Sequence, residues 1–267
     1  MKNTLLLLLI VAFASCKQST EKKITEQATS EEVATQDTAS KNYPEHITKV
    51  FEAHGGLETW NAMETLTFTM QKPDGAEVTT TDLKSRKAHI EMPNHDLGFN
   101  GKDVWLHSKD TTAYKGKPKF YYNLMFYFYA MPFVLSDDGI TYTDAEPLRF
   151  EGVEYPGIKI SYGAGVGESP DDEYIIYYDA KTNEMTWLAY TMTFFAKEKS
   201  KKFSYIKYGN WQDVNGVKLP KAIQWYKVVD GKPVEVRNEV EFSDVTISKD
   251  KQDNSFYEAP EGAKIIE

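Results

Sequence analysis

The sequence predicts a mainly β domain: a single antiparallel sheet, preceded by an N-terminal helix and covered by an aromatic helical segment. Apolar and polar residues alternate along much of the chain, as in Leu66, Phe68 and Met70 against Thr65, Thr67 and Thr69. That period of two marks strands with one buried face. Asn100-Gly101, Asn215-Gly216 and Asp230-Gly231 interrupt such runs, and these pairs suit the two-residue turns of β-hairpins. Two stretches, after Pro44 and over Lys119–Leu135, lack the alternation.

Order is expected from Pro44, which fits the first turn of a helix, with Glu45 complementing the dipole. Ile47, Val50, Phe51 and His54 follow at helical spacing, and Gly55-Gly56 ends the helix. Leu57 to Met63 is a second short helical piece with Leu57, Trp60 and Met63 on one side. The strand at Leu66 turns at Gly75 and returns over Val78 to Leu83. Ala88, Ile90 and Met92 form the next strand, and Leu97-Gly98-Phe99 enters the Asn100-Gly101 turn that Val104-Trp105-Leu106 leaves. Consecutive hairpins imply a meander. Lys119 to Leu135 is apolar on nearly every side. Phe120, Leu124, Tyr127, Phe128 and Met131 could share one helical face there, and Pro132 ends or kinks it. It is too short and too rich in Tyr for a membrane span. Further strands are expected at Ile158–Tyr162, Tyr174–Tyr178, Met185–Phe195, Phe203–Tyr208, Lys221–Val228 and Val234–Phe242. With no repeat and no second boundary, residues 44–267 read as one domain.

The first fifteen residues have the form of a secretory signal peptide: Lys2, an apolar run from Thr4 to Ala14, then Ser15. Phe13-Ala14-Ser15-Cys16 resembles a bacterial lipobox, with Phe13 in place of the usual Leu. That resemblance implies cleavage before Cys16, a lipid thioether on its sulfur and acylation of the new amino terminus. The alternative is an uncleaved anchor helix, for which the run is well short of about 20 residues. Lys17 to Asn42 is rich in Ser, Thr, Gln, Glu and Lys and cannot bury enough apolar surface to offset its ordering entropy. Residues 16–43 therefore read as a lipidated cysteine and a disordered tether, with a reach on the order of 30 Å.

Loss of Lys2 with the signal takes the formal charge from −9 to −10. Nucleic acid and bare anionic lipid attract basic patches, so nucleic acid is excluded as a partner and the membrane is reached through acyl chains on Cys16. Cys16 is the only cysteine, which leaves no disulfide and no cysteine-based metal site.

Ala53-His54-Gly55-Gly56-Leu57-Glu58-Thr59-Trp60, Gly98-Phe99-Asn100-Gly101 with Trp105, Tyr178-Asp179 before Asn183, Asn215-Gly216-Val217-Lys218-Leu219-Pro220 and Phe256-Tyr257-Glu258-Ala259-Pro260 form a set. Together they resemble a family of uncharacterised Gram-negative lipoproteins, from about Pro44 to the end. That family is similar in layout to the lipoprotein-carrier fold of LolA and LolB. The resemblance implies a strongly curved, incomplete antiparallel barrel closed by helices over a hydrophobic cavity, and no established chemistry. In this sequence Met185, Trp187 and Ala189 alternate with Leu188, Tyr190, Met192 and Phe194, so both strand faces are covered or one lines an apolar space. The candidate ligand-lining residues are Trp105, Phe120, Leu124, Phe128, Met131, Phe133, Trp187, Tyr190, Phe194 and Trp225; the alternative is that they are core.

No catalytic motif is found. The five histidines show no HExxH or other close metal spacing. His54 fits a structural role, capping its helix or bonding beneath it, and His89 and His95 fit an outer strand face and a turn. Ser161 to Gly167 is glycine-rich but matches no phosphate-binding loop. Glu168, Asp171, Asp172 and Glu173 depart from calcium-loop spacing, and Pro170 interrupts them. No G-x-S-x-G elbow is present. No metal or cofactor is expected. The leading reading is a membrane-anchored, non-enzymatic lipoprotein that binds a hydrophobic or amphipathic molecule such as a lipid or acyl chain. Alternatives are an interaction lipoprotein with a filled core, its protein partner unknown, and an envelope hydrolase. Lys17-Gln18 after the cysteine favours the outer membrane, facing the periplasm.

Overall fold

The computed structural model of the chain describes residues 41–163, 172–192 and 202–267. The signal peptide, Cys16, most of the tether, most of the glycine-rich and acidic run, and Phe194 lie outside the described residues. Two helices open the described part, α1 (Glu45–Ala53) and α2 (Leu57–Asn61). Five strands follow: β1 (Thr65–Lys72), β2 (Gly75–Asp82), β3 (Ala88–Glu91), β4 (His95–Phe99) and β5 (Val104–Ser108). A helical passage holds α3 (Pro118–Tyr121), α4 (Leu124–Tyr129) and a 3-10 turn, Phe133–Ser136. Then come β6 (Ile140–Phe150), β7 (Val153–Tyr162), β8 (Tyr174–Tyr178), β9 (Met185–Tyr190), β10 (Ser204–Val214), β11 (Val217–Val229) and β12 (Lys232–Ser248), with β13 (Lys264–Ile265) near the end.

All thirteen strands join one antiparallel sheet in the order β13-β5-β4-β3-β2-β1-β12-β11-β10-β9-β8-β7-β6. It consists of two meanders joined where β1 pairs with β12, Leu66 opposite Ile247. The sheet is not closed: β6 ends it on one side and β13, paired to β5, on the other. The chain between β5 and β6 must cross from one border to the other, and that crossing is the α3–α4 passage. Tyr129 packs its ring 4.4 Å from Phe68 of β1, and six residues later Leu135 accepts a hydrogen bond from Tyr142 of β6. Those strands lie seven places apart, roughly 34 Å on a flat sheet. A sheet that brings both to six residues of helical chain is strongly coiled around it, as accumulated strand twist allows.

The inner face carries the main core. Ile47, Phe51, Leu66, Ile158, Ile176, Leu188, Ile206 and Ile223 are all buried there with Phe126, Phe133 and Leu135. A smaller cluster, Phe150, Tyr177, Trp187, Tyr205 and Tyr226, covers the outer face of the second meander. Residues one apart on β9, Trp187 and Leu188, thus fall in different clusters, and both faces are covered as the sequence implies.

Three expectations need correction. The aromatic stretch is not one helical face but three short pieces, broken at Asn123 and again at Pro132. β6 escaped notice because, as a border strand, it buries only Ile140, Leu148 and Phe150, and a register shift between Ala145 and Leu148 interrupts its alternation. β10, β11 and β12 run past their expected bounds, and the added parts still alternate. Trp211 and Val214 of β10 pack against the core, Val217 and Leu219 of β11 are buried, and so is Ile247 of β12, each set being separated by polar residues such as Asp213, Lys218 and Thr246.

Candidate functional site

Between the α3–α4 passage and the inner face of β7–β9 and β11 lies a cavity of about 460 Å³. Its cover is Phe120, Leu124, Met125, Tyr127, Phe128, Met131 and Val134; its floor is Tyr162, Tyr174, Tyr190 and Trp225. The local sequence explains the cover. Pro118 starts α3, Asn123 separates it from α4, and Tyr208 donates from its buried hydroxyl to the Phe128 carbonyl at 2.7 Å, fixing the end of α4 to the sheet. Phe128 then sits 5.2 Å from the Tyr190 ring and 6.0 Å from Trp225. Trp225 donates Nε1–H to the Tyr190 hydroxyl at 3.3 Å, and Tyr162 meets Tyr174 edge-on at 5.6 Å.

Burial pushes the hydroxyls of Tyr162, Tyr174 and Tyr190 above the ordinary tyrosine range, with Tyr174 and Tyr190 further raised by the Asp172 charge. These phenols stay neutral near pH 7. The charged side chains of the lining are therefore Arg86, Asp137 and Asp172. The volume and the mixture of aromatic walls with a few polar groups match small-molecule sites, typically about 300–1,000 Å³. Met125, Met131 and Met192 supply adaptable, polarisable surface suited to flexible apolar ligands.

The chain matches the family of unknown function DUF6503 over residues 2–242. It belongs to that family. Among solved structures, a LolA superfamily protein from Nitrosomonas europaea is similar at 8% identity and a TM-score of 0.46, covering 79% of this chain and 96% of that one. A DUF1329 family protein from Desulfovibrio piger shows 9% identity and a TM-score of 0.44, covering 78% and 97%. The Mycobacterium tuberculosis lipoprotein LppX shows 10% identity and a TM-score of 0.24, covering 54% and 85%. No curated protein shows significant sequence similarity.

In this DUF6503 member, six candidate lining residues meet at the cavity: Phe120, Leu124, Phe128, Met131, Tyr190 and Trp225. Three do not. Phe133 stacks on Trp60 with ring centres 4.7 Å apart, because the break at Pro132 turns it inward. Trp187 points to the outer face, where it packs on Phe150 and Tyr226. Trp105 lies over Gly98 and donates Nε1–H to the Tyr257 carbonyl at 2.9 Å. Tyr162 and Tyr174 were legible as inner-face positions by alternation with Ile160 and Ile176. Arg86, Asp137 and Asp172 come from turns and strand approaches, where no periodicity announces them.

Arg86 reaches the cavity from the β2–β3 turn. Asp82 there accepts from the backbone N–H groups of Lys84 at 3.0 Å and Ser85 at 2.7 Å. Asp82→Ala is expected to cost about 1–3 kcal/mol, since it leaves two donors without a charged acceptor; urea denaturation measures it, and a loss below about 0.5 kcal/mol would contradict the role.

Elsewhere, His54 is fully buried, and its Nδ1–H donates to the Val50 carbonyl at 2.7 Å. His95 is buried at the start of β4 with Nε2 2.9 Å from the Thr112 carbonyl, rather than in a turn. His89 and His107 flank Asp96 at 4.0 and 3.6 Å, and Lys109 lies 2.7 Å from it. Among the described residues no group of three or more His, Cys, Asp or Glu could hold a metal ion, and no helix is long and apolar enough to cross a membrane. Glu77 was not anticipated. Buried on β2, it accepts from Tyr121 at 2.6 Å, and burial raises its carboxyl above the usual range.

Proposed function

We propose that this protein is an envelope lipoprotein, held by acyl chains on Cys16, that binds one hydrophobic or amphipathic molecule in the cavity under α4. The observation that carries the reading is the apolar, aromatic and methionine-rich lining of a hollow that the side chains of the described residues leave unfilled. The lipobox-like Phe13–Cys16 segment and the polar stretch after it support a module tethered to the outer membrane and facing the periplasm. It acts by binding, not by catalysis.

Native mass spectrometry of protein gently extracted from cells, against delipidated protein, tests the cavity. One adduct of lipid mass per chain is expected, and Leu124→Asp, which sets a charge among Phe128 and Tyr190, should reduce its occupancy about tenfold or more. Extraction without any adduct, together with no uptake of added acyl chains, would sink the reading. Cys16→Ser should move the protein from the membrane fraction to the soluble one.

A second reading, an interaction lipoprotein acting through its surface, draws on Val228, Val229, Val234 and Val236, which are exposed near the tip of the β11–β12 hairpin. It predicts a cross-linked partner that Val229→Asp abolishes.

A further inference from the structure

Arg86 is the one cationic side chain among the described residues that line the cavity. Its backbone has φ +60°, a left-handed conformation that a side chain of this size rarely adopts. The turn enforces it: Arg86 N–H donates to the Asp82 carbonyl at 2.9 Å, and Asp82 N–H donates to the Lys87 carbonyl at 2.9 Å. Such strained positions persist where the surrounding structure over-determines them, and they concentrate at ligand sites. The guanidinium is placed with equal care. Nη2 donates to Asp137 Oδ1 at 2.6 Å, and Cζ lies 5.2 Å over the Phe126 ring. Nη1 is buried and has no acceptor among the described residues.

A buried charged donor atom without an acceptor is costly, and the Phe126 ring under Cζ presents it with carbon rather than oxygen. A planar guanidinium whose second nitrogen waits for an oxygen is the natural partner of an oxyanion, because its N–H groups form a fork matched to carboxylate and phosphate. The apolar walls of the same cavity are Met125, Phe128, Tyr190 and Trp225. Asp137 neutralises one edge of the guanidinium, and Asp172, next to Tyr174, adds a second carboxylate to the lining. It is therefore the open Nη1 donor, not a net positive charge, that would hold an anion at the Arg86 end.

We propose that Arg86 is the headgroup anchor of the cavity, and that the ligand is an amphiphile whose carboxylate or phosphate oxygen accepts from Nη1 while its chain lies under α4. This rests on the cavity reading above.

Calorimetric titration of the delipidated full-length protein with four twelve-carbon probes separates the two. Dodecanoate, dodecyl phosphate or both should bind about tenfold or more tightly than dodecanol, and dodecyltrimethylammonium should bind no more tightly than dodecanol. Preference for dodecyl phosphate alone would identify a phosphate headgroup, and preference for dodecanoate a free fatty acid. Arg86→Gln should erase the preference for the anions while leaving dodecanol affinity within about twofold. Asp137→Asn, which removes the carboxylate charge that competes for the guanidinium, should tighten anion binding and keeps the test open if Arg86→Gln proves unstable. Equal binding of alcohol and both anions, or tighter binding of the cation, overturns the headgroup assignment and leaves the cavity reading standing. No binding of any of the four overturns both.

Discussion

Gly55→Ala is expected to lower stability by at least about 3 kcal/mol, combining a left-handed backbone penalty with forced overpacking. Gly55 has φ +108°, and a Cβ there would lie far inside van der Waals contact distance of the Gly216 carbonyl oxygen. The obstruction is backbone, and that backbone is fixed. Gly216 has φ +83° in the turn between β10 and β11, and the next residue but one, Lys218, donates its N–H to the His54 carbonyl at 2.8 Å. Neither side can yield without breaking the corner that seats α1 and α2 on the sheet. For a domain of this size the loss corresponds to a fall in Tm of about 6–12 °C, read by circular dichroism. Gly152→Ala is the control, since Gly152 also has positive φ but nothing lies within 4 Å of its added Cβ. It isolates the backbone penalty. A Gly55→Ala loss no greater than that of Gly152→Ala would show that the Gly216 contact relaxes freely.

That corner also shows what the family-like motifs encode. Ala53-His54-Gly55-Gly56 and Asn215-Gly216-Val217-Lys218 are far apart in sequence and packed together in space. Gly98 leaves room for the Trp105 ring, Trp105 donates to the Tyr257 carbonyl, and Asn100 donates to Glu258. Asp179 accepts from the N–H groups of Lys181 and Thr182 to shape the turn that Asn183 completes at φ +58°. Each motif is thus a joint of the fold. The motifs were readable because turns and glycine contacts depend on particular residues at particular positions. The cavity was legible only in part, because it is a space between surfaces: alternation shows which way Tyr190 and Trp225 face, but not whether another side chain meets them. Phe133 and Trp187 have the same composition signal as Phe128, yet one stacks on Trp60 and the other lies across the sheet. Arg86 was invisible for a related reason, since its role depends on where the β2–β3 turn falls relative to Asp137.

Acidification should destabilise the domain through His54, by about 3 kcal/mol between pH 6.5 and pH 4. Burial lowers the imidazole from 6.5 to about 4, against a smaller opposing effect of its hydrogen bond to Val50. The ring lies 4.5 Å from Trp211 and 6.5 Å from Phe133, edge-on to both, so a protonated form would place a charge among aromatic carbon. The folded value lies below the unfolded one. Stability is therefore complete above pH 6.5, where both states are neutral at this residue. It falls as the pH drops from 6.5 towards 4, because the unfolded chain binds a proton that the folded chain refuses. His89 is also lowered, chiefly by burial, and adds a loss of the same sign. Glu77, raised by burial, has the opposite sign: its stabilising contribution is largest in acid and is lost as the pH rises through its folded value. The decisive quantity is thus the difference between the wild type and His54→Asn, which keeps a donor near the Nδ1 position but does not titrate. In urea denaturation at successive pH values, the wild-type stability should fall more steeply than the variant's by close to one proton between pH 6 and pH 4.5. Parallel curves would mean that His54 opens to water before it is protonated, and that the α1–β11 corner is looser than its packing implies.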